Sequence, residues 1–290
     1  MNKFTVLGLS LCSIMTLSAC NQEQSSAKPA EQTTQSTQGQ TTTTPNTTTD
    51  LSKETEAYKA WVSTQMDGLV SETEKFVALL NDGKVEEAKA LYPHARMYFE
   101  RSEPVAELFG DLDPRIDNRE ADLQAGETWT GYHAIEKILW TKNTTDGTQA
   151  LGEKLLADVK ELQAKTPTAD VTGDLMVQGS VDLLNEISTS KITGEEEVFS
   201  HTDLYDFWAN IEGADKIFEI LSPKIAEKDP TLVKTIREKF DAVYKLLNQH
   251  KIGDKDFKSY QELSEADTKA LADAINQLGE PLAQMGIILK

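Results

Sequence analysis

Cysteine is almost missing from this chain: its 290 residues include two, Cys12 and Cys20. Everything after them lacks both a disulfide and a thiolate ligand for a metal, so stability must come from an apolar core. Histidine is scarce too, with four. Beyond residue 20 no apolar run approaches the roughly 20 residues needed to span a bilayer. Positive charge is in deficit, 29 Lys and Arg against 48 Asp and Glu, for a net charge of -19. Nucleic acid is thereby excluded as a partner, because a phosphate backbone demands a basic footprint. The acidity favours a cation near the surface without locating a site. Strand-like alternation of useful length is absent. So are His-Glu-x-x-His, Gly-x-Ser-x-Gly and any nucleotide-binding loop.

The N-terminus is a targeting segment. Lys3 supplies a small positive region, and Phe4 to Leu17 is apolar but too short for a permanent span. It ends in Leu17-Ser18-Ala19-Cys20, which resembles a bacterial lipoprotein processing site, with cleavage before Cys20 and lipid on its thiol. Residues 1–20 therefore read as a signal peptide. Residues 21–50 are Gln, Ser and Thr with two prolines, too polar to repay the entropy of ordering, and read as a disordered tether. The expected location is the extracytoplasmic face of the cell membrane, held there by lipid alone.

Residues 51–290 carry helical periodicity. Tyr58, Val62, Met66, Leu69, Thr73, Phe76, Val77 and Leu80 recur at three and four, predicting a helix over 52–80 stopped by Asn81-Asp82-Gly83. A second begins near Lys84, bent or restarted at Pro93 and irregular at Pro104. Further helices are expected over 148–165, 171–187 and 202–221 (the last ending before Pro223), then from Asp229-Pro230 through Leu247, and finally behind a cap at Ser264. Residues 111–129 lack a period and crowd Asp111, Asp113, Asp117, Arg115 and Arg119 together. That pattern suits a site-covering loop and equally an acidic surface loop. The expected fold is all-α, two packed antiparallel four-helix bundles.

One helical stretch stands out: Gly131-Tyr132-His133-Ala134-Ile135-Glu136-Lys137-Ile138-Leu139-Trp140. His133 and Glu136, three apart, share a face and can hold one metal ion; the same spacing gives a plain helix-surface hydrogen bond. Glu100 and Glu103, also three apart and flanked by apolar residues, offer a facing carboxylate pair, or two surface glutamates. An oxygen-rich set with one imidazole suits Fe(III), Fe(II), Mn(II) or Zn(II) better than Cu(I). Asp203 and Asp206 share another helix face, where Asp203 can instead stabilise the helix start. His201 sits beside that start; His94 and His250 read as structural or surface residues.

These motifs together resemble the imelysin-like family and, within it, the EfeO/EfeM iron-uptake lipoproteins. The resemblance rests on Gly131 to Glu136, Glu100-Arg101-Ser102-Glu103-Pro104-Val105-Ala106-Glu107, Phe109-Gly110-Asp111-Leu112-Asp113-Pro114-Arg115-Ile116-Asp117 and His201-Thr202-Asp203-Leu204-Tyr205-Asp206-Phe207. It implies a two-bundle protein without catalytic residues, whose metal ligands are His133, Glu136, Glu100 and Glu103. Asp117 and Arg119, then Asp203 and Asp206, stand behind them. The resemblance further implies iron (Fe3+ or Fe2+) as ligand, with Zn2+ as an in vitro substitute. An EfeU-type permease and an EfeB-type haem peroxidase are the implied partners. Some members add a cupredoxin domain; residues 21–50 are too short and polar for one, so no copper-assisted step is carried over. Two other functions compete: a metallopeptidase, as the family was once classed, and a protein that binds acidic polysaccharide through a bridging cation.

Overall fold

The computed structural model describes residues 49–290. The signal segment, Cys20 and residues 21–48 of the expected tether lie outside the described residues. Nine helices appear among those described: α1 (Ser52–Asn81), α2 (Val85–Ala106), α3 (Leu112–Asp117), α4 (Tyr132–Lys142), α5 (Gln149–Lys165), α6 (Gly173–Thr189), α7 (Asp203–Ala226), α8 (Pro230–Leu247) and α9 (Glu265–Ile288). A two-residue antiparallel ribbon, β1 (Lys251–Ile252) with β2 (Asp256–Phe257), closes the turn after α8.

Two rings of four helices result. α1 packs on α2 and α5, and the short α4 touches both α2 and α5, closing the first ring. In the second, α6 packs on α7 and α9, and α8 joins α7 to α9. Short turns such as Glu227–Asp229 between ring neighbours make those neighbours antiparallel. The α1 positions expected to be apolar, from Tyr58 to Leu80, are all buried. α9 begins on a capping box, in which Ser264 Oγ accepts from the Asp267 N–H and the Asp267 carboxylate accepts from the Ser264 N–H.

α2 and α7 join the two rings. Gly213 of α7 lies so close to α2 that a Cβ there would stand 2.6 Å from the carbonyl oxygen of Arg101. Proline contributes as well. Pro104 has no N–H for the carbonyl of Glu100, and the Asn210 side chain of α7 donates to that carbonyl at 3.0 Å. The irregularities expected at Pro93 and Pro104 do not interrupt α2, which runs through both. The expectation that the seventh helix ends before Pro223 is likewise corrected: α7 continues to Ala226. There Pro223 leaves the Glu219 carbonyl without its helical donor, and Ser222 Oγ supplies one at 2.9 Å. Nor is 111–129 a bare loop: Leu112 and Ile116 are fully buried and fold its first part into α3.

Candidate metal centre

The centre begins with a glycine. Gly131 sits at φ +89°, and a Cβ on it would lie 2.2 Å from the Ile116 carbonyl oxygen. Only glycine lets the start of α4 press against the backbone of α3. That contact sets His133, on the first turn of α4, beside Asp117, on the last turn of α3. The hydroxyl of Tyr132 shares a 2.7 Å hydrogen bond with Thr73 in the first core.

His133 is 1% exposed. Its Nδ1 is 3.1 Å from Glu136 Oε2. Its Nε2 is buried without a hydrogen-bond partner and stands 3.8 Å from Asp117 Oδ1. Two groups of three potential ligand atoms share this imidazole: Asp117, His133 and Glu196, and separately His133, Glu136 and Glu197. Within each group the atoms lie within 4.8 Å of one another. Glu136 is fixed from its far side, where Oε1 accepts from the backbone N–H groups of Phe199 (3.0 Å) and Ser200 (2.7 Å).

Arg96 of α2, fully buried, is the fixed cation of the centre. It pairs with Glu100 Oε1 at 2.6 Å, with Asp117, and with Glu197; Asp206 is 3.5 Å away and Glu196 3.9 Å. Its guanidinium carbon lies 5.9 Å from the ring centroid of Tyr92 and 5.8 Å from that of Tyr132. Lys191, 2% exposed, is the second buried cation and meets Glu100, Glu103, Glu186 and Glu196. Against these two stand seven buried carboxyls: Glu100, Glu103, Glu136, Glu196, Glu197, Asp203 and Asp206. Asp117 adds a partly buried eighth.

The excess shows in the proton affinities. Burial pushes the Glu103, Glu197 and Asp206 carboxyls well above their ordinary range. Burial likewise raises Asp117, against the pull of Arg96, and lifts Asp203 to about 6. Glu196 goes the other way. Burial opposes its charge, but Lys191, His133, Arg96 and Arg119 outweigh burial and bring it to about 2. Glu136 also falls below its usual value, because His133 and Ser200 overcome the cost of its burial. Burying so many carboxyls is costly unless protons or a cation compensate them.

Not every residue singled out in the sequence meets the imidazole. Glu100 and Glu103 belong to neither group of three; Arg96, Lys191 and Asn210 hold them instead. Asp203 Oδ1 accepts from the Glu197 N–H at 3.3 Å, and both Asp206 oxygens lack hydrogen bonds. Arg119 pairs with Asp122 at 2.7 Å and reaches Glu196 at 3.5 Å. Of the remaining histidines, His94 bonds Asp256 at 2.9 Å and His201 bonds Gln261 at 2.9 Å. His250 is buried on the second ring's side.

Arg96, Lys191, Glu196 and Glu197 escaped the sequence reading. Glu195-Glu196-Glu197 resembles a solvated charge run, and only Glu195 is exposed. The usable signal was Arg96 four residues before Glu100, a spacing that places both on one helix face.

The chain has known relatives. The imelysin peptidase family profile matches residues 54–285. The chain belongs to the imelysin family. It is 53% identical over 242 residues to an "Efem/EfeO family lipoprotein" of Staphylococcus haemolyticus strain JCSC1435, covering 82% of this chain and 84% of that one. A protein of the same name from Staphylococcus aureus strain MSSA476 is 51% identical over 243 residues, 82% of this chain and 86% of its own. Within the imelysin family, then, this chain falls among the EfeM/EfeO lipoproteins.

Proposed function

We propose that this imelysin-family protein captures iron outside the cytoplasm and passes it to an EfeU-type membrane permease. It works as a binding lipoprotein and not as a peptidase, in keeping with relatives named as lipoproteins. Residues 1–20 direct export, lipid on Cys20 anchors the chain, and residues 21–50 tether the helical domain 51–290. Among the described residues no helix is long and apolar enough to cross a membrane.

The observation that carries the reading is the unpartnered, buried Nε2 of His133 facing Asp117 and Glu196. With Nδ1–H donating to Glu136, the free lone pair lies on Nε2, the usual arrangement behind a metal-bound histidine. His133, Asp117 and Glu196 then hold the ion, while Glu136 orients the ring from the Nδ1 side. Two carboxylates and an imidazole fit Fe(II) or Fe(III), with Zn(II) as a competitor. The ion also neutralises part of the surplus buried charge.

Calorimetric titration with Fe(III) kept soluble by a weak chelator tests this. The protein should bind saturably, and His133→Ala should abolish binding. Glu136→Ala should weaken it about 10–100-fold, the usual cost of losing an orienting partner. Equal binding by all three proteins would refute the site. Delivery is tested separately, by transfer of iron to vesicles bearing the permease: faster uptake from the loaded protein than from the chelator alone is expected, and equal uptake would refute delivery.

A further inference from the structure

Lys191 has no part in the proposed iron site, yet it is among the most buried charges of the protein. It lies in a short turn between α6 and the segment carrying Glu196, Glu197, Phe199 and Ser200. Its Nζ is surrounded by carboxylates from three places: Glu100 at 2.5 Å and Glu103 at 4.0 Å from α2, Glu186 at 3.7 Å from α6, and Glu196 at 3.6 Å. Asn210 of α7 donates to Glu100 and Glu103 from the other side, while its own Oδ1 is buried without a partner. Asp206, 1% exposed and with neither oxygen hydrogen-bonded, is close enough to feel both Glu100 and Lys191. An ammonium enclosed by four carboxylates occupies the kind of place where an oxygen-preferring metal ion would sit.

We infer that Lys191 is a built-in cation which fills a second cation position, made by Glu100, Glu103, Glu186 and Glu196, and so confines captured metal to the His133 side. This builds on the iron-binding reading above. Glu196 ties the two positions together, since it faces Lys191 on one side and belongs to the Asp117–His133–Glu196 group on the other. The lysine side chain does what a bound ion would do, without exchanging with solvent. Glu100 and Glu103, although spaced like metal ligands, are thereby committed to the chain's own charge. Lys191 is thus a residue that sets occupancy and selectivity, not a ligand. Without it, the second position contains only oxygen donors and should take a hard divalent ion.

The test counts bound Mn(II) on the full chain by electron paramagnetic resonance, where free Mn(II) gives a sharp six-line signal that binding removes. Lys191→Met should bind one more Mn(II) per chain than the unaltered protein. Lys191→Arg keeps the charge and should bind no extra ion. The extra ion should persist when His133→Ala and Glu136→Ala are added, and vanish when Glu100→Gln is added. If Lys191→Met does not fold in the absence of metal, Mn(II) should restore its helical circular dichroism, whereas Lys191→Met with Glu100→Gln should not respond to Mn(II). Equal ion counts in the unaltered protein and a folded Lys191→Met, or an unfolded Lys191→Met that Mn(II) cannot restore, would overturn the inference. Should the unaltered protein bind no iron while Lys191→Met still gains Mn(II), the iron-capture reading fails and this one stands.

Discussion

Two arginines of this protein, Arg96 and Arg115, each organise a network of carboxylates, and the networks differ in one respect. Arg115 joins Asp158 and Glu161 of α5 and Asp111 beside its own helix, while Lys154 shares Asp158 and Lys165 shares Glu161. Every acid there has a basic partner, and only Asp158 is fully buried. Around Arg96 the acids far outnumber the bases, and nearly all are shut away from water. A balanced, wetter network fastens α3 to α5 and needs nothing more. An unbalanced, dry one stores a demand for positive charge. Similar residue types serve attachment in one place and, on the proposal above, capture in the other.

The sharpest way to break the comparison is to remove each arginine. Arg96→Met leaves several carboxylates buried and unpaired, and should cost about 3–5 kcal/mol, the range for breaking a buried pair. Arg115→Met should cost about 1 kcal/mol, because Asp158 and Glu161 keep Lys154 and Lys165 as partners and Asp111 is exposed. Urea denaturation of both variants checks the ranking, and equal losses would erase the distinction.

Metal should separate the networks next. Iron at about 100 times its dissociation constant should stabilise the protein by roughly 2.7 kcal/mol, seen as a rise in melting temperature. Glu196→Gln should shrink that increment, and Asp158→Asn should leave it intact even though Asp158→Asn lowers the starting stability. An increment unchanged by Glu196→Gln would place the ion elsewhere.

Asp113, on α3 and near Asp117, gives a smaller, pH-dependent effect. Burial, then the neighbouring charge of Asp117, raises its carboxyl to about 7. Its native proton affinity exceeds the unfolded one, so its favourable contribution is complete below about pH 4 and disappears as pH rises to about 7. Asp113→Asn should flatten this part of the stability curve, by about 1–2 kcal/mol once solvent screening is allowed for. Urea midpoints at pH 5, 6, 7 and 8 would reveal it, and parallel curves would contradict it.

The smallest effect is expected at Arg119, which is partly exposed and bound mainly to Asp122. Arg119→Ala should change stability by less than about 1 kcal/mol. Because Arg119 also reaches Glu196, iron should bind slightly more tightly once that competing charge is gone. Weaker binding in the variant would instead make Arg119 part of the capture machinery.

The helices were legible in the sequence because burial repeats with the helical period, as from Tyr58 to Leu80. Their ends near proline were not. The carbonyls freed by Pro104 and Pro223 find side-chain donors, Asn210 and Ser222, that no local rule would have identified. At the centre, His133 and Glu136 could be read because helical spacing puts them on one face, and Asp117 was reached only through the family resemblance. Glu196 and Glu197 were hidden because a run of glutamates looks like surface until the fold brings it against Arg96. Glu100 and Glu103 had the right spacing, but Glu100 is also held by Lys191 and Asn210, 91 and 110 residues away, and Asn210 reaches Glu103 across 107.

Asn210 grips both the backbone carbonyl and the carboxylate of Glu100, while Gly213 brings α7 against α2 one turn further on. These contacts rivet the two rings at their shared seam. The segment from Lys191 to Ser200 is tied down at one end by its lysine on Glu100 and at the other by two backbone N–H groups on Glu136. On the iron-capture proposal, the ion would sit in a socket whose walls those few contacts hold in place.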